Sequence, residues 1–389
     1  MTAAHIETIQ TLTQTQVRHP PGAEFLEGSP PLVLFGADGR GRRILNGLRD
    51  VGITPVAFAD NQSALWGSTV QDLAVLAPND AARDFPDAVF IATIWSDRIG
   101  HPIQALRSQL AVLGVRRVAS FTALYEKYPD IFFPDFFLNR LSTVQGQQAA
   151  ILRAADLWED SDSVDEFVAQ LSLRITLDFE NVDRSCDYTA YFPPDLFELS
   201  DRESFVDCGA FDGDTYKDFH RVTGGRFQRY IAIEPDAHNF QRLNDRIPSE
   251  SPPPSADKVR TLQIAVGERS GVIHFAADGS TESHVSDQGG QEIQCQTLDE
   301  VLSREAPTYI KMDVEGAESS ALRGASRTLA KHRPMLAVSA YHRITDLWQI
   351  PLLIASQVDD YAYFLRPEKK AGWDLICYAI PQERLKATS

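Results

Sequence analysis

The sequence predicts an α/β protein made of two doubly wound sheets joined by a helical connector. Three observations lead there. Apolar strands alternate with helical stretches in two separate blocks, 30–120 and 201–389. Each block opens with an apolar strand that runs into a glycine-rich turn, Gly36-Ala-Asp-Gly39-Arg-Gly41 in the first and Asp207-Cys-Gly209-Ala-Phe-Asp-Gly213 in the second. The length, 389 residues, exceeds one typical core and suits two domains with a connector. The expected division is a lead-in at 1–29, a smaller Rossmann-like nucleotide-binding-type domain at 30–120, a helical connector at 121–200 and a second α/β domain at 201–389.

Composition narrows the function. Hydrophobic content of 43% and charged content of 23% are those of a globular protein. The formal net charge of −17 lacks the Lys/Arg footprint that neutralises phosphates, so nucleic acid is not an expected partner. No run of about 18 apolar residues exists, so no membrane span is expected. Met1-Thr-Ala-Ala-His-Ile-Glu lacks the basic and apolar regions of a secretory signal. Cys186, Cys208, Cys295 and Cys377 show no C-x-x-C spacing and read as reduced thiols of a cytoplasmic protein.

Along the chain, residues 1–29 are polar, contain the breaker His19-Pro-Pro-Gly22, and are expected to be loosely held. Leu32-Val-Leu-Phe35 is a strand, followed by a helix to about Val51. Pro55-Val-Ala-Phe-Ala59, ending in Asp60-Asn61, then Ala88-Val-Phe-Ile-Ala-Thr93 and Arg117-Val-Ala-Ser120 continue a parallel sheet, with a helix near 101–113. In the connector, Phe132-Phe-Pro-Asp-Phe-Phe137 is expected to be a docking patch that could bury a homodimer surface. A helix is expected over about 145–158 and another from Ser163-x-x-Glu166, a capping-box pattern, with Trp158, Phe167, Leu171 and Ile175 on core faces. The second domain carries a Pro-rich loop, Ser251-Pro-Pro-Pro-Ser255, before its third strand, and a Gly/Ser/Asp-rich loop at 278–290 expected to be mobile over a site.

The chemistry concentrates in the second domain. Ser204-Phe-Val-Asp207 is a strand that ends in an acidic residue and two glycines four apart, and Tyr230-Ile-Ala-Ile is a strand that ends in Glu234-Pro-Asp236. Ligands of open α/β sheets sit at the carboxyl ends of strands, which places Glu234 to accept hydrogen bonds from ribose hydroxyls. Gly209 and Gly213 would let bare backbone approach the ligand or adopt positive φ. The spacing departs from G-x-G-x-x-G. An acidic residue at that turn repels pyrophosphate and suits a cationic nucleoside such as S-adenosylmethionine; the plainer alternative is an ordinary strand–helix turn. In Thr308-Tyr-Ile-Lys311-Met-Asp313-Val-Glu315-Gly316, alternation puts Lys311 and Asp313 on one face. Lys311 then either serves a ligand or forms a buried ion pair that holds strands together. Asp313 and Glu315 would approach the same crevice as Gly209. The strand Met335-Leu-Ala-Val-Ser-Ala ends in Tyr341-His342-Arg343, which makes His342 a candidate general base. His274 and His284 have no convincing metal spacing; no metal site is assigned, and Asp313 and Glu315 are the only sensible carboxylate ligands for one.

At these residues the chain resembles a known family. Phe205-Val-Asp-Cys-Gly-Ala-Phe-Asp-Gly-Asp214, Ile233-Glu-Pro-Asp236, Gln263-Ile-Ala-Val-Gly267, Thr297-Leu-Asp-Glu300, Ile310-Lys-Met-Asp-Val-Glu-Gly-Ala-Glu318 and Leu322-Arg-Gly-Ala325 follow one another as in the FkbM-type family of S-adenosylmethionine-dependent methyltransferases. The resemblance covers roughly 200–389. It implies a class I methyltransferase sheet of seven strands, the last antiparallel, and methyl transfer to an oxygen of a sugar, polyketide or similar small molecule. It also implies that Asp207, Gly209 and Gly213 line the methionine half of the cofactor, Glu234 the ribose, and Ala265 and Val266 the adenine. Asp313 would stand near the sulfonium or the acceptor, and Cys208, Ala210, Thr215, Pro235 and Asp236 complete the cofactor set. Lys311, Asp313, Glu315 and His342 are the candidates for catalysis. The N-terminal block resembles the nucleotide-sugar-binding Rossmann-like domain of some bacterial sugar acetyltransferases, through Val33-Leu-Phe-Gly-Ala-Asp-Gly39, Phe58-Ala-Asp-Asn61 and Trp66-Gly67. A nucleotide-sugar would then meet Gly36, Gly39 and Asp60.

Methyl transfer is an in-line displacement, for which alignment supplies about 7–11 kcal/mol, whereas a general base adds about 10²–10⁴-fold. The expected function is therefore O-methylation of a hydroxyl on a sugar or other small acceptor, in a crevice whose shape matters more than its base. Two alternatives stand beside it: a nicotinamide-dependent oxidoreductase using the N-terminal turn, and a non-catalytic nucleotide-sugar-binding protein. The turn has Ala37-Asp38 where a dinucleotide fingerprint has its second glycine, which weighs against the oxidoreductase. Acceptor pockets come from loops, and Tyr191-Phe-Pro-Pro194, 278–290 and Tyr341-His-Arg343 are the candidates.

Overall fold

The computed structural model describes residues 1–95, 102–179, 182, 189–251, 254–255, 257–276, 284–285, 291–369 and 372–386. The N-terminal sheet contains β1 (Leu32–Phe35), β2 (Ala57–Ala59), β3 (Thr69–Val70), β4 (Leu73–Leu76), β5 (Val89–Ala92) and β6 (Val118–Ser120), in the order β3-β4-β2-β1-β5-β6. All pairs are parallel except β3 with β4. Every residue of β1, β2, β5 and β6 is buried, which explains continuous apolar runs rather than alternation. Helix Gly39–Asp50 begins where Asp38 accepts the Gly41 N–H at 3.1 Å.

The C-terminal sheet is built from β7 (Ser204–Cys208), β8 (Arg229–Ile233) and β9 (Val259–Leu262). A small four-stranded sheet follows, made of β10 (Ala265–Val266), β11 (Gly271–Ala276), β12 (His284–Val285) and β13 (Gln291–Gln296) in the order β10-β13-β11-β12. The main sheet resumes with β14 (Tyr309–Met312), β15 (Met335–Ser339), β16 (Tyr361–Pro367) and β17 (Leu375–Pro381). Its seven strands run in the order β16-β17-β15-β14-β7-β8-β9, with β17 antiparallel to both neighbours and the remaining pairs parallel. This is the class I methyltransferase topology that the family resemblance implied.

Between the sheets, helices Gln148–Ala155 and Ser161–Thr176 fill the connector. The longer one starts two residues earlier than the capping-box pattern predicted. Asp160 is its cap, accepting the Ser163 N–H at 2.8 Å, while the Ser163 hydroxyl accepts from Arg366 and from the Leu365 N–H on β16. A tertiary contact thus takes the hydroxyl that the local pattern assigned to capping. The lead-in also departs from expectation: it holds a helix, Ala3–Thr13, that packs on helix Ser161–Thr176 with Ile9 fully buried. Ile9 and Leu12, three apart in a polar segment, supply the apolar stripe. Arg18 is buried as well and donates to the carbonyls of Ile175 and Arg174. The aromatic run at 132–137 docks within the chain rather than on its surface: Phe132, Phe133 and Phe137 are buried, and Phe132 stacks on Tyr125 at 4.8 Å. Cys186 and most of the 278–290 loop lie outside the described residues.

Candidate functional site

The chain leaves β7 for β8 on one side and returns to β14 on the other, so the order of the C-terminal sheet switches between β7 and β14. Open α/β sheets bind ligands beyond the carboxyl ends of strands at such a point. A cavity of about 360 Å³ lies there. Of the residues expected to hold a cofactor, Gly209, Thr215, Glu234, Pro235, Ala265, Val266 and Asp313 line it, together with Lys311 and Glu315. Asp207, Cys208, Ala210, Gly213, Asp236 and His342 do not.

Those that stay outside the wall have structural work to do. Asp207 is fully buried: its Oδ1 lies 2.9 Å from Lys311 Nζ, and its Oδ2 accepts from Tyr230 at 2.6 Å. Lys311 Nζ also donates to the Gly209 carbonyl at 2.6 Å. The paired register of β7 and β14 sets Asp207 opposite Lys311, so this carboxylate is spent on the neighbouring strand and does not reach into the cavity. Cys208 and Ala210 are buried core residues. Gly213, with φ of +86°, is the N-cap of helix Asp214–Thr223, and Asp236 caps helix Ala237–Arg246 by accepting from His238 and Asn239. Gly209 needs its glycine for a reason other than ligand approach. At φ +77°, a Cβ would come 1.8 Å from the Asp313 carbonyl oxygen, so the close meeting of the β7 and β14 ends demands its absence.

The wall divides by chemistry. Glu234 is placed by the end of β8; its two oxygens accept the N–H groups of Phe211 and Asp236, each at 2.9 Å, and keep lone pairs free for further donors. Burial pushes its carboxyl up to about 7. Ile264, Ala265 and Val266 form an apolar strip beside it. Phe211, held at positive φ with the Arg242 guanidinium 5.1 Å from its ring centre, adds an aromatic face. Tyr191, Tyr341, Trp373 and Phe136 also line the cavity, as do Asp374 and Lys369. Among the described residues the lining contains the carboxylates of Asp214, Asp218, Glu234, Asp313, Glu315 and Asp374 and two amino groups, Lys311 and Lys369. Both amino groups are already paired, with Asp207 at 2.9 Å and Asp374 at 2.5 Å.

At the end of β14, Asp313 Oδ2 accepts from the Tyr191 hydroxyl at 2.8 Å. Burial favours its neutral form, but the charges of His342 and Lys311 hold its pKa below the ordinary value. Glu315 shifts upward, through burial and the nearby carboxylates of Asp313 and Glu318. His342 sits behind these carboxylates, with a side chain only 3% exposed. Burial alone would lower its pKa, yet Glu318 and Glu315 raise it well above the imidazole range. The carboxylates around it thus favour the charged form, and His342 does not line the cavity.

Sequence reasoning missed several wall residues. Asp214 stands inside the glycine-rich motif, where nothing in the spacing singles it out. Phe136, Trp373 and Asp374 come from segments without a motif, so only the fold brings them in. Glu318, in the helix after β14, takes no role from the motif that contains it; it accepts the N–H groups of Val314 and Gly316 and lies 3.0 Å from His342 Nδ1. In the N-terminal sheet, Asp60 accepts from the Ala37 and Gln62 N–H groups, each at 2.8 Å. Gly36 has φ of +115°, and a Cβ there would meet Thr93 Oγ1 at 2.7 Å, so the space over this glycine is filled by the residues that follow β5. Gly39 has open space around it.

Comparison with known proteins agrees with this geometry. Residues 207–371 match the model of the Methyltransferase FkbM domain. A comparison with curated proteins returned no match. Among solved structures, a methyltransferase FkbM from Methylobacillus flagellatus KT matches with a TM-score of 0.80 at 25% identity, covering 97% of this chain and 98% of that one. The likeness therefore extends over the N-terminal sheet and the connector. A precorrin-6y C5,15-methyltransferase from Geobacter metallireducens GS-15 matches with a TM-score of 0.30 at 10% identity, over 46% of this chain and 80% of that one, too low to bear on the argument. The chain is a methyltransferase, and its residues 207–371 are similar to the Methyltransferase FkbM domain.

Proposed function

We propose that the chain transfers the methyl group of S-adenosyl-L-methionine to a hydroxyl oxygen of a small acceptor, sugar-linked or otherwise rich in hydroxyls. The observation that carries this is the charge of the cavity: among the described residues six carboxylates line it, of which Asp374 pairs with Lys369, and its other amino group, Lys311, is paired with Asp207 outside the wall. Such a wall favours a sulfonium and an α-ammonium and disfavours any phosphate. The fit is also spatial. Glu234 offers free lone pairs to ribose hydroxyls at the end of β8, and Ile264–Val266 offers an apolar strip for a purine. Bound there, S-adenosyl-L-methionine would supply a methyl carbon already activated by its sulfonium.

The protein's own contribution is to bind, align and exclude water. Tyr191, Tyr341, Trp373 and Phe136 form an aromatic wall with polar edges, the kind of surface that stacks on a ring and orients its hydroxyls. Asp313, fixed by the Tyr191 hydroxyl, lines the same cavity. The alignment these residues impose is worth up to about 7–11 kcal/mol of the barrier.

Calorimetry with S-adenosylhomocysteine tests the cofactor assignment: the wild type is expected to bind, and Glu234→Ala to lose at least tenfold in affinity. Incubation with labelled methyl donor and host extract, followed by mass analysis of the labelled product, then tests the acceptor class. A wild-type protein that ignores S-adenosylhomocysteine would sink the cofactor assignment, and a label found on nitrogen or carbon would sink the O-methyl assignment.

A further inference from the structure

We infer that Asn239 is a cofactor-binding residue: beside Glu234, its side-chain amide takes a ribose hydroxyl of S-adenosyl-L-methionine. Helix geometry places it. Asn239 and Leu243 are the buried residues of helix Ala237–Arg246, and at four residues apart they share one face. That face meets the glycine-rich turn after β7, where a Cβ at Gly213 would lie 3.1 Å from Leu243 Cδ1. The Phe211 N–H of the same turn donates to Glu234 at 2.9 Å. Backbone donors tie the two residues again: the Asn239 N–H donates to Asp236 Oδ1 and the Asp236 N–H to Glu234 Oε1, each at 2.9 Å. Asn239 and Glu234 thus close on one corner, and both line the cavity.

The amide is what singles Asn239 out. The residue is 2% exposed, and among the described residues no hydrogen bond reaches its Oδ1. Buried polar atoms nearly always have a partner, and one without is destabilising. Filling this buried helix face requires only an apolar side chain, as Leu243 shows one turn on. Capping requires only the Asn239 backbone N–H, which Asp236 already takes. Neither structural task accounts for a side-chain amide at the cavity wall.

A ribose hydroxyl accounts for it; this role rests on the S-adenosyl-L-methionine reading. The amide turns about its terminal side-chain bond, so either its oxygen or its nitrogen can face the cavity. A hydroxyl donates and accepts, and so pairs with either end. Glu234 in its ionised form only accepts. Asn239 adds the missing donor, so a hydroxyl that gives its proton to Glu234 can also be held at its oxygen. The amide is neutral and leaves the charge of the wall unchanged. Ile264, Ala265 and Val266, which also line the cavity, offer apolar side chains to the base and leave Asn239 to the sugar.

The experiment is calorimetry on the full chain with S-adenosylhomocysteine, with its 2′-deoxy and 3′-deoxy analogues, and with the analogue carrying hydrogen in place of the adenine amino group. Urea denaturation without ligand runs beside it. Asn239→Leu keeps the size of the side chain and removes its hydrogen bonding. It is expected to weaken S-adenosylhomocysteine about tenfold while the urea midpoint stays or rises, the opposite of what loss of a structural amide would do. The penalty should shrink to about twofold or less for one deoxy analogue, whose missing hydroxyl is the partner of the amide, and persist for the analogue without the amino group. Where Asn239→Leu does not fold, Asn239→Ala removes the amide without adding bulk and gives the same readings. Unchanged affinity in a folded variant overturns the inference and leaves the cofactor reading standing. So does a penalty equal for all four ligands, or one that vanishes only without the amino group, which would set the amide against the base. A wild type that ignores S-adenosylhomocysteine sinks both.

Discussion

Glu234 shows how burial sets the behaviour of a single group. Its carboxyl is pushed up to about 7, so it titrates near neutrality. Ribose hydroxyls donate, and the ionised form accepts more strongly, so cofactor binding should favour the carboxylate and release a proton. Affinity for S-adenosylhomocysteine is therefore expected to rise as pH goes from 6 to 8, with the steepest change near 7, and Glu234→Gln should flatten that profile. Calorimetry across the range would show it, and an unchanged slope in the variant would contradict it. The sign for stability is opposite: a carboxyl raised in the folded state contributes stability at low pH that is lost as pH climbs through about 7. Lys311 makes the complementary case. It stays protonated, held by Asp207 at 2.9 Å and the Gly209 carbonyl, with both side chains buried. Lys311→Met leaves Asp207 buried and uncompensated, which should cost about 3–5 kcal/mol. Urea denaturation should show that loss, whatever happens to turnover.

At the scale of elements, the sequence makes legible what periodicity and chain order determine. The strands β7, β8, β14 and β15 stand out as apolar runs with polar residues at one end. Strand ends are where α/β ligands bind, so Glu234 and Asp313 fall in one crevice on sequence grounds alone. Register is not legible in this way. The pairing of β7 with β14 sets Asp207 against Lys311, and this removes Asp207 from the cavity. Nor can an acidic pair in one segment announce the imidazole that joins it from the end of the following strand. The same β7–β14 meeting makes a prediction about Gly209. A Cβ at φ +77° and 1.8 Å from the Asp313 carbonyl adds a clash to backbone strain of about 1–3 kcal/mol. Gly209→Ala should therefore unfold at clearly lower urea concentration and disturb Asp313. Gly271→Ala, where no neighbour lies within 4 Å, is the matched control and should change stability little.

Taken as a whole, the molecule is tied across its two sheets more firmly than its division into domains suggested. Trp95, at the end of the N-terminal sheet, packs on Trp373 at 4.7 Å and meets Phe121, Phe136, Phe137 and Phe179 edge-on or stacked. Two of these rings, Trp373 and Phe136, are also cavity wall, so the seam between the sheets forms part of the cavity. Connector helix Ser161–Thr176 adds polar ties: Asp160 receives Arg366 of β16 at 2.6 Å, and the buried Arg174 donates to the Ala340 carbonyl after β15 at 3.2 Å. A fragment that begins near residue 190 would bare the faces of β16, Tyr341 and Trp373 and leave Arg366 without Asp160. Aromatic side chains each bury about 150–250 Å², so the exposed seam is large enough to drive association. The fragment is expected to aggregate, or to unfold without a cooperative transition, and to bind S-adenosylhomocysteine at least tenfold more weakly than the full chain. A soluble fragment with cooperative melting and undiminished affinity would show instead that the C-terminal sheet builds its pocket unaided, and that the N-terminal sheet serves some purpose other than holding the cavity wall in place.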